Sequence, residues 1–103
     1  MAISVKTEIS GEQAKLSLSG RFDFTAHREF RQGCEGALSQ SSITGLEVDL
    51  GGVDYIDSSA LGMLLLLKEN VDRAQCRLTL TNCHGPVRRV LDVANFGKLF
   101  SLS

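Results

Sequence analysis

Apolar and polar residues alternate at the start of the chain, where Ile3, Val5 and Ile9 are separated by polar neighbours. After the turn-like Ser10-Gly11-Glu12, a second alternating run puts Ala14, Leu16 and Leu18 on one side and Lys15, Ser17 and Ser19 on the other. Two such runs around a short polar loop predict a β-hairpin. The period then changes. Ala26, Phe30, Cys34 and Ala37 recur at helical spacing, with Asp23 or Thr25 as the candidate cap. Gly33 and Gly36 each weaken that helix by about 1 kcal/mol relative to alanine. A polar loop over 39–44 closes the unit.

Leu46, Val48 and Leu50 alternate with Glu47 and Asp49, which predicts a short strand that Gly51-Gly52 interrupts before residues 53–57 lead to the next helix. That helix runs from about Ser58 to Asp72. Residues 77–82 alternate again, with Leu78 and Leu80 on one face. Gly85-Pro86 marks a third helix, because proline suits the first helical turn. Val87, Val90 and Leu91 form its apolar stripe, and Phe96, Leu99 and Phe100 are expected to pack the tail onto the core. Strands separated by helices imply parallel pairing through right-handed crossovers. The expected fold is one α/β domain over 1–103, a mixed β-sheet with an N-terminal antiparallel hairpin and parallel core strands packed by helices.

The second helix is the most informative segment. At about 100° per residue, Ala60, Met63, Leu64, Leu67, Val71 and Ala74 gather into the stripe that docks it on the sheet. Leu61 and Leu65 fall outside that stripe, with Gly62 and the polar Lys68, Glu69 and Asp72. Either a second layer such as the tail covers these leucines, or they form an exposed apolar patch that docks a partner. Ser58 projects to the side of Leu61, Leu65 and Gly62, whereas Ser59 turns toward Met63. Unpaired N–H groups and the local field at a helix start favour an anion there. A phosphate on Ser58, of about −1.5 to −2 charge, would repel a docked partner at the rim of an apolar contact. On spacing alone, Asp57-Ser58-Ser59 before an apolar run is a helix cap.

Composition narrows the classes. A formal net charge of −1, from 11 basic and 12 acidic side chains, leaves no basic surplus to neutralise phosphates, so direct nucleic-acid binding is not expected. The apolar run 63–67 is too short to span a bilayer, and the N-terminus lacks the pattern of a secretory signal, so a cytoplasmic protein without membrane contact is expected. Cys34, Cys76 and Cys83 form no CxxC, and with His27 and His84 they are too scattered for a metal site; reduced, mostly buried thiols are expected, with no metal or cofactor.

The stretch Val48-Asp49-Leu50-Gly51-Gly52-Val53-Asp54-Tyr55-Ile56-Asp57-Ser58-Ser59-Ala60-Leu61-Gly62 resembles the signature of STAS domains, specifically the bacterial anti-anti-sigma factors. Gly20-Arg21-Phe22-Asp23 sits where that family has its Gly-x-Leu/Phe-Asp turn, and residues 78–82 followed by 87–91 match its closing strand and helix. The resemblance implies partner switching. The unmodified protein binds an anti-sigma factor, often a serine protein kinase, and so frees a sigma factor. The kinase phosphorylates the serine after the motif aspartate, here Ser58, and a metal-dependent serine phosphatase restores it. The resemblance implies that Asp23 helps partner or kinase contact; with Asp57, Ser59 and the off-stripe Leu61, Gly62 and Leu65 it makes up the expected partner-binding set, on a chain expected to be a monomer. Asp23 reads equally as a cap for the first helix. Ala60 stands where many members have glycine.

Other readings make distinct demands. A serine hydrolase needs a base near Ser58, but His27 and His84 lie on other elements and no GxSxG is present. A nucleotide-binding module needs a phosphate cradle, and Gly51-Gly52 is too little for one without GxxxxGK[ST] or GxGxxG. The same domain could also serve another signalling assembly.

Overall fold

The computed structural model describes residues 3–39 and 42–103, so part of the predicted 39–44 loop lies outside the described residues. The elements are β1 (Ser4–Ser10), β2 (Gln13–Phe22), α1 (His27–Leu38), β3 (Gly45–Ile56), α2 (Ser58–Arg73), β4 (Arg77–Thr81), α3 (Gly85–Val93) and β5 (Ser101–Leu102). Short 3-10 turns at Phe24–Ala26 and Phe96–Lys98 precede α1 and β5. The sheet order is β1-β2-β3-β4-β5. β1 and β2 are antiparallel and every other neighbouring pair is parallel.

The hairpin closes through the pair Ser10↔Gln13 around Gly11-Glu12. Gly11 has φ 62, which a two-residue hairpin turn requires at its first position and glycine supplies without strain. The three crossovers β2-α1-β3, β3-α2-β4 and β4-α3-β5 all step the same way across the sheet. Right-handed connections that step one way place all three helices on one face, and burial follows. Ala14, Leu16, Leu18, Leu46, Val48, Leu50 and Leu80 are buried under the helices. The opposite face is polar: Lys15 pairs with Asp49 at 3.5 Å, and the Thr81 hydroxyl donates to Glu47 at 2.7 Å. Phe22, Leu64, Val71 and Leu91 are among the side chains closed to water, and each contributes on the order of 1.5–3 kcal/mol through burial.

Gly51-Gly52 does not interrupt β3, which runs unbroken to Ile56. The glycines lie inside a bulged strand. Ser17↔Asp49 is followed by Ser19↔Gly52, and Gly20↔Val53 by Arg21↔Tyr55, so β3 carries an extra residue at each of two steps. The bulges change its burial period from two to three, and Leu50, Val53 and Ile56 all reach the core. Gly52 is required by close approach: a Cβ there would stand 2.9 Å from the Leu18 carbonyl oxygen and 2.7 Å from Ser19 Cβ.

Two core assignments are corrected. Ala74 is exposed, because α2 ends at Arg73 and the left-handed Gln75 (φ 57) turns the chain away, leaving Cys76 to fill the core. Leu99 is exposed as well. The Phe100 N–H bonds the Phe96 carbonyl at 2.9 Å, and their rings stack at 5.0 Å, so those two phenylalanines share the inward side while Leu99 turns out. The tail also adds a strand, β5, that periodicity did not predict. Cys34 and Cys76 are buried thiols, with burial pushing Cys34 up to about 12, and Cys83 is half-buried.

Candidate functional site at the start of the second helix

β2 and β3 end in register, Phe22 opposite Ile56, so Asp23 and Asp57 leave the sheet side by side. The carboxyl ends of parallel strands are where α/β sheets usually place their sites. The Asp57 N–H donates to the Phe22 carbonyl at 3.3 Å, which ties the two exits together. Asp57 is extended (φ −118) and accepts the Ala60 N–H at 3.0 Å. Its carbonyl accepts the Leu61 N–H at 3.2 Å. Asp57 is thus the N-cap of α2, Ser58 the first helical residue and Ser59 the second. Both serines are exposed. Gly62 is exposed too, and a Cβ there would meet nothing within 4 Å.

Asp23 is held more tightly. Its carboxylate accepts the Thr25 hydroxyl and the Thr25 N–H, and faces Arg21 Nε at 3.5 Å. The Thr25 donors, helped by Arg21, keep its acid below the usual carboxylate range against the opposing effect of burial. The Arg21 guanidinium lies 4.0 Å from the centre of the Tyr55 ring, a cation–π contact between the ends of β2 and β3. Asp23 therefore caps the 3-10 turn ahead of α1, and α1 itself starts at His27, with Ala26 at its N-cap and no side-chain cap.

The two off-stripe leucines part company. Leu65 is exposed, while Leu61 is half-buried and packs against the core. The tail packs beside α3 and β5. Two further apolar side chains stand in water. Phe24 is 70% exposed, directly after Asp23, and Leu66 is 56% exposed on the α1 side of α2. Leu66 borders a shallow groove of about 160 Å³ shared with His27, Phe30, Arg31 and Met63. Sequence reasoning passed over both. The signal for Leu66 was present, since four consecutive leucines at 64–67 cannot all face one core.

The histidines stand apart from Ser58 in their interactions. His84 Nε2 lies 3.1 Å from the Gly51 carbonyl oxygen, and His27 lines the α1–α2 groove. Among the described residues no group of three or more His, Cys, Asp or Glu is placed to hold a metal ion. No described helix is long and apolar enough to cross a membrane.

A one-sided sheet with helices stepping across it, and an aspartate cap before the serine that opens the second of them, define a small α/β domain with its candidate site at the carboxyl ends of β2 and β3. The chain belongs to the STAS family: the family model described as "Mlab, STAS domain" matches residues 5–102. A STAS-domain containing protein of Pseudomonas aeruginosa is 40% identical over 105 residues, covering 100% of both chains. The anti-sigma F factor antagonist of Lysinibacillus sphaericus is 25% identical over 89 residues, covering 86% of this chain and 76% of that one. The Bacillus cell fate determinant SpoIIAA in its phosphorylated form superposes with a TM-score of 0.73 at 21% identity, over 97% of this chain and 91% of that one.

Proposed function

We propose that this protein is an anti-sigma factor antagonist that works by partner switching. Unphosphorylated, it binds an anti-sigma factor with serine-kinase activity through the exposed start of α2; phosphorylation of Ser58 releases it, and a serine phosphatase resets it. The observation that carries this reading is the exposed Ser58, first in α2, on the side of the helix that also presents Leu65. The 25% identical antagonist and the phosphorylated relative of the same fold support it.

The physics is consistent with a switch. The free N–H groups of the first helical turn tolerate an anion, so the domain itself keeps its fold when modified. A partner packed on Leu65 and Phe24 meets a new double charge at the edge of its apolar contact. A hundredfold loss of affinity needs about 2.8 kcal/mol, within reach of charge repulsion plus lost packing. Asp57 keeps Ser58 presented, Asp23 holds the neighbouring loop, and Ser59, Gly62 and the outer edge of Leu61 complete the contact.

The test is reconstitution with the anti-sigma kinase of the same organism. Phosphopeptide mapping should place the modification on Ser58. Ser58→Ala should bind constitutively and resist phosphorylation, and Ser58→Asp should bind weakly. Modification of Ser59 instead, or undiminished binding by Ser58→Asp, overturns the reading.

A further inference from the structure

We propose that β1 is a self-complementary edge through which two copies of this chain pair into one continuous ten-stranded sheet. The inference is independent of the Ser58 switch and departs from the monomer expected from sequence.

β1 is the open edge of the sheet, and its side chains are exposed apart from the half-buried Val5. Among the described residues it makes backbone hydrogen bonds only to β2. In an antiparallel ladder, successive residues turn their N–H and C=O groups alternately toward the partner strand and away from it. The hairpin closes at Ser10↔Gln13 around a two-residue turn, which makes that pair hydrogen-bonded. Counting back, Glu8, Lys6 and Ser4 also bond β2, so Val5, Thr7 and Ile9 aim their backbone groups at the free edge.

A second β1 can add there in antiparallel, two-fold fashion only in registers that keep outward groups opposite outward groups. Three such registers use the centre of the strand. Centring the axis on Lys6 sets Lys6 against its own copy, and centring it on Glu8 does the same with Glu8. Like charges directly opposite are destabilising. Centring on Thr7 removes both conflicts. Lys6 then faces Glu8 of the second copy, twice, in the non-hydrogen-bonded positions where side chains come closest. On the helix-covered face Val5 meets Ile9, an apolar residue left 45% exposed in the single chain. Ser4 faces Ser10. The seven-residue strand Ser-Val-Lys-Thr-Glu-Ile-Ser is thus complementary to itself in one register alone.

The helices permit the approach. α1 lies over β1 and β2, so a sheet continued at the usual strand spacing brings two copies of α1 to about 10 Å, an ordinary packing distance. Gly33 rests on Val5, and Gly36, further round α1 on the side away from α2, has open space where a Cβ would be. The two-fold axis stands perpendicular to the sheet. Each Ser58 then lies at an opposite end of the pair, and both remain accessible.

Sedimentation equilibrium across a concentration series tests this on the full chain. The wild type should approach twice its 11.2 kDa mass as concentration rises, and 1 M salt, which shortens screening to about 3 Å, should weaken the association. Thr7→Pro removes an outward N–H at the axis without touching the β1–β2 ladder, and Lys6→Glu sets acid against acid. Both should shift dimerisation at least tenfold to higher concentration with unchanged far-ultraviolet dichroism, and with unchanged melting at concentrations where the wild type is itself monomeric. Lys6→Glu mixed with Glu8→Lys should form a heterodimer that neither forms alone. A wild type that stays monomeric throughout, or a dimer indifferent to Thr7→Pro and Lys6→Glu, overturns the proposal.

Discussion

Asp23-Phe24-Thr25-Ala26 and Asp57-Ser58-Ser59-Ala60 are the same device built twice. Each follows a buried strand end, Phe22 and Ile56, in one parallel pair. Each opens with an extended aspartate that caps the following turn and ends on an alanine closed to water. They differ in what surrounds the carboxylate and in what comes next. Asp23 has Thr25 and Arg21 around both oxygens, and its turn is a single 3-10 loop. Asp57 uses Oδ1 on Ala60 and caps a 16-residue helix. After Asp23 comes an exposed phenylalanine; after Asp57, an exposed serine. The first copy is a fastened loop with an apolar tip. The second presents an exposed hydroxyl at the start of a long helix, and the hydrogen bond from the Asp57 N–H to the Phe22 carbonyl keeps the two adjacent.

The sharpest way to break this contrast is to charge the second position. Ser58→Asp should weaken partner binding by about a hundredfold, worth about 2.8 kcal/mol, while Phe24→Ala should weaken it less, through lost apolar contact alone; titration calorimetry against the partner separates them. Equal losses would mean that the two tips are interchangeable. The geometry that aligns the copies depends on the β3 bulges, so Gly52→Ala, which forces backbone apart at Leu18 and Ser19, should cost about 1–3 kcal/mol in urea unfolding.

The two caps should also respond differently to truncation. Asp57→Ala should cost about 1 kcal/mol, as loss of an N-cap does, and leave the Ser58 hydroxyl poorly placed for modification. Leu65→Ala should weaken partner binding with stability changed by less than about 0.5 kcal/mol, the range for exposed positions. The half-buried Leu61→Ala should lower the melting temperature measurably, and an equal drop for Leu65→Ala would place both in the core.

The smallest effect is the pH signature of Asp23. Its acid is depressed by the Thr25 donors and Arg21. A depressed carboxyl contributes stability above its unfolded value, about 3.9, and loses it as pH falls through the lower folded value. Asp23→Asn should therefore be less stable than wild type near neutrality, with the gap closing as pH drops below about 4. A gap constant from pH 7 to pH 3 would mean that the charge of Asp23 plays no part in holding its loop.

Much of this was legible in the residues. Alternation over Ile3 to Ser19 placed the hairpin, because a half-buried sheet records its two faces with period two. The stripe Ala60, Met63, Leu64, Leu67, Val71 placed the second helix on its core, and Asp57-Ser58-Ser59 marked where it begins. The glycine pair misled, since a bulged strand and a broken one share the same local sequence; only the parallel partner β2 distinguishes them. Leu99 misled for a similar reason, its direction being set by the Phe96–Phe100 stack.

Which faces are apolar, where the helices start and which serine opens α2 follow from local spacing and backbone chemistry, so they can be read along the chain. Packing between distant segments puts Asp23 and Asp57 side by side, leaves Leu65 exposed while Leu61 is half-buried, and leaves Phe24 in water directly after Asp23. Those outcomes depend on register between strands about 30 residues apart and on how helices cover one face of the sheet. Nothing in the local pattern encodes that pairing.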